Sequence, residues 1–283
     1  MAKNTVLTLL DKKSKGEKIT QLTCYDYTTA CLMNEAGVET ILVGDSLGMT
    51  MQGYDTTLPV TMEEMIVYGR SVVRGAKDAF VIMDMPFMSY QVSIEQAVEN
   101  AGRLIKETGA NAVKLEGGAQ VKEQIKAIVD SGIPVCAHIG MTPQSVNAFG
   151  GFKVQGKGEA NAERVLQDAF DVQEAGAFMC VLECVPPKLA ALITKKTQMV
   201  TIGIGASSEC DGQVLVWQDM AGMTTGVSPK FAKHFGEIGI ALKDAIGSYI
   251  DEVKNASFPA VEHTYVKSDC ADEFYAELDQ KYE

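Results

Sequence analysis

The sequence predicts an α/β fold: a closed (β/α)8 TIM barrel in one domain, residues 1–283, with an additional N-terminal helix and C-terminal helices. Three observations carry that expectation. Eight short apolar or β-branched runs alternate with amphipathic stretches over most of the chain. Several of the runs are apolar throughout, as strands of a parallel sheet covered on both faces must be. A helical stretch repeatedly ends in a glycine step just before the next run, at Gly109-Ala110, Ser131-Gly-Ile-Pro134 and Gly176-Ala177. Glycine stops a helix there because it accepts a positive φ without a Cβ clash. Eight strands favour a closed barrel over an open sheet, and no Pro/Ser-rich linker divides the chain.

In chain order the expected strands are 19–23, 40–43, 79–83, 112–115, 135–139, 178–182, 199–204 and 214–218. Between the third and fourth, Ile94, Ala97, Val98, Ala101, Leu104 and Ile105 form one helical stripe. Ala162, Val165, Leu166, Ala169 and Phe170 do the same before the sixth strand. Two helix starts are written as capping boxes, Thr61-Met-Glu-Glu64 and Ser93-Ile-Glu-Gln96. Only a short stretch separates the last two strands. Residues 230–254 and 268–282 read as helices, expected to pack as a C-terminal cover.

Composition excludes more than it identifies. With 25 Lys and Arg against 37 Asp and Glu, the net charge of -12 argues against nucleic acid or an anionic membrane as partner. The seven cysteines are odd in number and mostly lie in apolar runs, which favours free buried thiols in a reducing compartment. Cys180 and Cys184 have no second pair at zinc spacing. The N-terminal residues lack a leader's apolar core and cleavage site, so the expected location is the cytoplasm. The longest uncharged stretch, 131–152, contains Pro, Gln, Asn, Gly and His and does not read as a membrane span. Neither G-x-G-x-x-G after an early strand nor a Gly-Lys-Ser/Thr phosphate loop occurs, so nicotinamide and nucleoside triphosphate chemistry lack their usual supports.

Function is written at the strand ends. A barrel of this class gathers its site where the strands end. Here the expected strands run into Asp45-Ser46, Asp84, Lys114 with Glu116, His138, Glu183 and Asp219. Asp45, Asp84 and Glu116 are hard oxygen donors that suit a magnesium ion retaining waters, or alternatively are helix caps and surface charges. Gly44 and Gly48 flank Asp45 and allow a ligand close to the backbone. Lys114 is placed either to neutralise an oxo-acid oxygen or to pair with Glu116. The apolar flanks of Glu183 favour a carboxyl held above its usual range and useful as a base; the alternative is a buried glutamate satisfied by backbone. His138 reads as a substrate or metal-shell contact, or as a satisfied core histidine.

These residues lie in longer motifs. Gly44-Asp-Ser-Leu-Gly-Met-Thr-Met-Gln-Gly-Tyr-Asp-Thr-Thr-Leu-Pro59 resembles the signature of the 3-methyl-2-oxobutanoate (ketopantoate) hydroxymethyltransferase family. Asp84-Met-Pro-Phe-Met-Ser-Tyr90, Ala112-Val-Lys-Leu-Glu-Gly-Gly118 and His138-Ile-Gly-Met-Thr-Pro-Gln-Ser145 fit it as well. So do Gly150-Gly-Phe-Lys-Val-Gln-Gly156, Leu182-Glu-Cys-Val-Pro186, Ile202-Gly-Ile-Gly-Ala206 and Cys210-Asp-Gly-Gln-Val-Leu215. The resemblance implies hydroxymethyl transfer from 5,10-methylenetetrahydrofolate to 3-methyl-2-oxobutanoate in pantothenate biosynthesis. It implies magnesium on Asp45, Asp84 and Glu116, and oxo-acid contacts from Asp45, Ser46, Asp84 and Lys114. Glu183 matches the family's proton acceptor, with Lys114 and His138 beside it. A homodecamer of two pentameric rings, a pentamer of dimers, is also implied. Ser207, Phe235 and His263-Thr264-Tyr265 depart from the family pattern, at positions that remove no expected ligand or base.

Two rivals stand beside this expectation. A lyase or mutase of the phosphoenolpyruvate mutase and isocitrate lyase type also pairs a barrel with magnesium and a small oxo acid. A non-catalytic, ring-forming metabolite-binding relative is the other, and retention of Glu183 beside three carboxylates argues against it.

Overall fold

A computed structural model describes residues 3–283 except 225, 227, 266 and 268. Eight parallel strands close into a barrel in sequence order. They are β1 (Ile19–Thr23), β2 (Thr40–Val43), β3 (Phe80–Asp84) and β4 (Ala112–Glu116), then β5 (Val135–Gly140), β6 (Met179–Glu183), β7 (Val200–Ile204) and β8 (Gly212–Leu215). Closure is made by β1 pairing with β8 from Ile19↔Gly212 to Leu22↔Leu215. Helices Tyr27–Ala36, Met62–Gly75, Ile94–Thr108, Lys122–Asp130, Glu159–Glu174 and Pro187–Lys196 follow β1 to β6 in turn. No helix intervenes between β7 and β8, as the sequence predicts.

Side-chain alternation divides the strands between two cores. One face packs against the helices, through residues such as Ile41, Val81, Val113, Ala137 and Leu182. The other fills the barrel with Ile19, Phe80, Ile82, Ala112, Cys136, Phe178, Met179, Val200, Ile202 and Val214. Phe80 and Phe178 meet edge to face at 5.6 Å. The N-terminal helix Val6–Lys15 adds Leu9 to that interior cluster, so it plugs the end of the barrel where the strands begin.

Local signals behave as the sequence predicts, with two shifts. Thr61 and Glu64 form the full capping box. At Ser93 only half the box forms: Ser93 accepts from the Gln96 N–H, while the Gln96 side chain accepts from Val92 N–H. The eighth strand begins two residues earlier than expected, at Gly212, and Trp217–Met220 is a helical turn. The reason is steric and local. A Cβ on Gly212 would lie 2.3 Å from the Ile19 carbonyl, so only glycine lets β8 approach β1 there. Past Leu215 the chain leaves the sheet, and the Trp217 N–H is taken by the Thr23 hydroxyl at 3.1 Å.

A second compact unit comprises residues 221–223 and 235–283. It carries the helices Ile238–Lys254 and Asp272–Lys281; the expected start of the latter at Ser268 lies outside the described residues. Within it the Phe258 ring packs on Tyr249 at 5.9 Å and on His263 at 5.4 Å. No helix among the described residues is long and apolar enough to cross a membrane.

Candidate active site

Parallel pairing brings the expected strand ends to one mouth. Asp84 pairs in register with Lys114, Glu116 with His138, and Gly140 with Glu183. Asp45 stands two residues past β2, and its N–H donates to Asp84 Oδ2 at 3.0 Å. Five of these side chains, Asp45, Asp84, Lys114, Glu116 and His138, are only 2–6% exposed. Ionised groups so deep in a protein persist only when paired.

Pairing is dense here. Lys114 Nζ sits 2.6 Å from Asp84 Oδ1, 3.9 Å from Glu116 Oε1 and 3.2 Å from His138 Nδ1. The other side of the imidazole, Nε2, faces Glu183 Oε2 at 3.3 Å, and Nδ1 lies 3.4 Å from Glu116 Oε1. Lys114–Asp84 is the shortest of these contacts, and His138 pairs with Glu183 as well as with Glu116. Glu183 is only partly buried and faces the imidazole, so its surroundings are more polar than its apolar sequence flanks suggest.

The cluster sets its own charges. Burial would discharge Lys114, but Asp84, Glu116 and Asp45 outweigh it and hold the ammonium above its ordinary value. Burial and Lys114 push His138 down, yet the Glu116 and Glu183 carboxylates raise it to about 9. Glu116 is pulled below its usual range, because His138, Lys114 and the Gln144 N–H overcome burial. Asp45 is pushed well above its usual range, first by burial and then by the charges of Asp84 and Glu116. Asp84 is raised by burial in spite of Lys114.

Several contributors were not singled out from sequence. Gln144, in the turn after β5, donates from Nε2 to Asp45 Oδ2 at 2.8 Å and from its backbone N–H to Glu116 Oε2 at 2.9 Å. Tyr90, fully buried, donates to Gln144 Oε1 at 2.6 Å. The Tyr25 hydroxyl holds Ser46 Oγ at 2.7 Å. Gln144 and Tyr90 lie inside motifs quoted above, but their partners come from other loops, which no local spacing reveals. Gly48 serves packing: a Cβ there would lie 2.6 Å from Val60 Cγ2. Asp219 is buried on the turn after β8 and accepts from the Thr224 hydroxyl; among the described residues it forms no hydrogen bond or ion pair with the six charged residues above.

The turn between β5 and Gln144 has little room. Gly140 holds φ +92°, and a Cβ there would be 2.4 Å from the Glu183 carbonyl and 2.6 Å from Val185 Cγ2. The next N–H, of Met141, donates to that same carbonyl at 2.9 Å.

The ketopantoate hydroxymethyltransferase family profile matches residues 3–261. The chain belongs to the ketopantoate hydroxymethyltransferase family. It is 60% identical over 263 residues to the 3-methyl-2-oxobutanoate hydroxymethyltransferase of Clostridium novyi, covering 93% of this chain and 96% of that one. Against the enzyme of that name from Syntrophus aciditrophicus the identity is 54% over 264 residues, covering 93% and 97%. Among solved structures, a phosphonopyruvate hydrolase with oxalate and Mg++ superposes with a TM-score of 0.58 at 12% identity, covering 100% of this chain and 99% of that one. A 2,3-dimethylmalate lyase of the PEP mutase/isocitrate lyase superfamily superposes at 0.59 with 13% identity, covering 90% and 89%. At such identities these two likenesses speak to the barrel alone. The lyase and mutase rival therefore keeps the fold and loses the sequence.

All six charged strand-end residues expected of a family member, Asp45, Asp84, Lys114, Glu116, His138 and Glu183, stand together at this mouth. Among the described residues, no three His, Cys, Asp or Glu side chains form a ready-made metal cage. Magnesium does not need one, since it keeps several waters and binds through one or two carboxylates plus substrate oxygens. The donor set fits such an ion. Each carboxylate has one oxygen fixed by a neutral N–H: Asp84 Oδ2 by Asp45, Asp45 Oδ2 by the Gln144 amide, Glu116 Oε2 by the Gln144 backbone. Asp45 Oδ1 accepts no hydrogen bond among the described residues, in a side chain that is almost wholly buried.

Proposed function

We propose that this protein transfers a hydroxymethyl group from 5,10-methylenetetrahydrofolate to 3-methyl-2-oxobutanoate. The products are 2-dehydropantoate and tetrahydrofolate, in pantothenate biosynthesis. The observation that carries this is the single cluster of Asp45, Asp84, Lys114, Glu116, His138 and Glu183 at the mouth of a barrel belonging to this family.

Asp45, Asp84 and Glu116 would hold a magnesium ion. When bound, the ion draws electron density from the 2-oxo oxygen and so acidifies the C3–H bond. Asp45, Ser46, Asp84 and Lys114 form the oxo-acid wall, with the Tyr25 hydroxyl fixing the Ser46 rotamer. The Lys114 ammonium, kept charged by three carboxylates, offsets negative charge growing on the substrate oxygen. Glu183 takes the C3 proton onto its carboxylate, and His138, 3.3 Å away, orients that carboxylate. The carbanion at C3 then attacks the one-carbon unit of the folate. A C–C bond forms as one of the two C–N bonds to the methylene carbon breaks, and the oxygen of water replaces the second nitrogen to give the hydroxymethyl group. The C3 proton and one proton of that water end on the two nitrogens of tetrahydrofolate.

The measurement that tests this is formation of 2-dehydropantoate from the two named substrates, with magnesium and after its removal by a chelator. Turnover that vanishes on chelation and returns with magnesium supports the reading; no product under either condition overturns it. Assembly as a homodecamer rests on family membership and is supported by the helix Ile238–Lys254. That helix has no buried residue in the single chain and exposes Ile238, Leu242, Ile246, Tyr249, Ile250 and Val253. Light scattering should then give about ten times the 30.5 kDa chain mass, as closed symmetry requires; a stable single-chain mass would refute it.

A further inference from the structure

We propose that Gln144 and Tyr90 form an orientational lock that positions the metal-facing carboxylates without touching substrate. This rests on the reading of Asp45 and Glu116 as metal ligands.

Gln144 lies in the turn Pro143–Ser145 and binds three other loops at once. Its two Nε2 hydrogens go to Asp45 Oδ2 at 2.8 Å and to the Met85 carbonyl at 3.0 Å. Its backbone N–H goes to Glu116 Oε2 at 2.9 Å. Asp45 and Glu116 are thus each tied by one oxygen, and Glu116 Oε1 is left turned towards His138 and Lys114. A planar carboxylate fixed at one oxygen has little freedom in where it presents the other.

An amide can flip, and a flipped Gln144 would set its oxygen against both Asp45 Oδ2 and the Met85 carbonyl. Those two acceptors oppose the flip from one end of the amide, and Tyr90 fixes the other. Its hydroxyl accepts from the Glu116 N–H at 3.1 Å, so its one proton is directed outward, onto Gln144 Oε1 at 2.6 Å. The Glu116 carbonyl lies further from that hydroxyl, at 3.2 Å. The Gln91 amide approaches Oε1 at only 3.4 Å and cannot replace it. Gln144 and Tyr90 are 5% and 1% exposed, so water does not supply a competing partner cheaply. The network is neutral, fully directed, and aimed at two carboxylates of a charged cluster. Outer groups that orient ligands in this way typically carry about 10- to 100-fold in metal affinity or activity.

The lock predicts a split between binding and rate. In Tyr90→Phe the Oε1 end of the amide loses its donor, so Gln144 and the carboxylates it holds sample several orientations, only some of which bind. Apparent affinity falls by the competent fraction, while molecules that have bound react normally. Calorimetry should show magnesium-dependent binding of 3-methyl-2-oxobutanoate weakened by about 10-fold or more. The C3-hydrogen exchange rate in deuterated water, followed by NMR at saturation, should stay near the wild-type value. Gln144→Met, similar in length but without donors, should weaken binding at least as much. Adding Tyr90→Phe to it should then cost little more, because the lock has nothing left to hold. Unchanged affinity in Tyr90→Phe overturns the proposal, and so does a lowered melting temperature with affinity intact, which marks a merely structural hydroxyl. Additive losses in the double variant overturn it as well. A wild-type protein with no magnesium-dependent oxo-acid binding would instead sink the underlying metal assignment, so the two failures are told apart.

Discussion

The two halves of the barrel interior are built on the same eight strands and differ completely in chemistry. Where the strands begin, Ile19, Phe80, Ala112, Cys136, Met179 and Val200 fill the interior with apolar side chains, closed off by Leu9 of the N-terminal helix. Two to four residues further along, the same faces carry Asp84, Lys114, Glu116, His138 and Glu183. On β4 the change takes place within Ala112-Val-Lys114-Leu-Glu116. The apolar half stabilises closure through transfer from water, a non-directional effect that any well-packed hydrocarbon supplies. The charged half gains little net stability, because desolvation opposes every ion pair in it. Its residues are there for what they hold. The comparison teaches that one end of the barrel is under a constraint of volume and the other under a constraint of geometry.

Substitutions can break that division. The largest effect is expected at Glu183. Glu183→Gln keeps shape and removes the basic carboxylate, so magnesium-dependent exchange of the C3 hydrogen should fall by about two to four orders of magnitude. Melting temperature and oxo-acid binding should largely survive. NMR exchange rates at matched occupancy decide it; near-normal exchange would remove Glu183 from the role of base and turn attention to His138. A smaller effect, of opposite kind, is expected from Phe80→Ala, which deletes a buried ring at the other end. It should cost about 3–5 kcal/mol of folding stability in denaturant titration, with exchange per folded molecule unchanged. A selective loss of exchange there would show that the two halves are coupled through the interior.

Most of the fold was legible in the sequence because a parallel barrel repeats one local grammar. β1 and β2 fall where the apolar runs place them, at Ile19–Thr23 and Thr40–Val43, and the helix stops at Gly109 and Gly176 fall just before strands. β8 was misplaced because its first residue, Gly212, has no side chain to announce a strand, and the approach to Ile19 that requires it is a tertiary fact. The charged residues of the site were legible for a similar reason. Each stands inside or at the end of an apolar run, where a charge is conspicuous. Gln144 and Tyr90 are uncharged, lie in irregular loops, and reach partners 26 to 99 residues away. Their role exists only once four loops have come together.

Gly140 shows what this arrangement does to the gene over time. The residue contacts no reacting atom, yet any side chain there would press on the carbonyl of Glu183 and on Val185. The backbone that delivers Gln144 and the backbone that delivers Glu183 are therefore wedged against each other. A lineage could not accept a bulkier residue at 140 and repair it locally. It would first have to move the end of β6, and with it Glu183. The path between two working sequences at this position passes through a non-working one, so drift is blocked by epistasis rather than by any duty of the glycine itself.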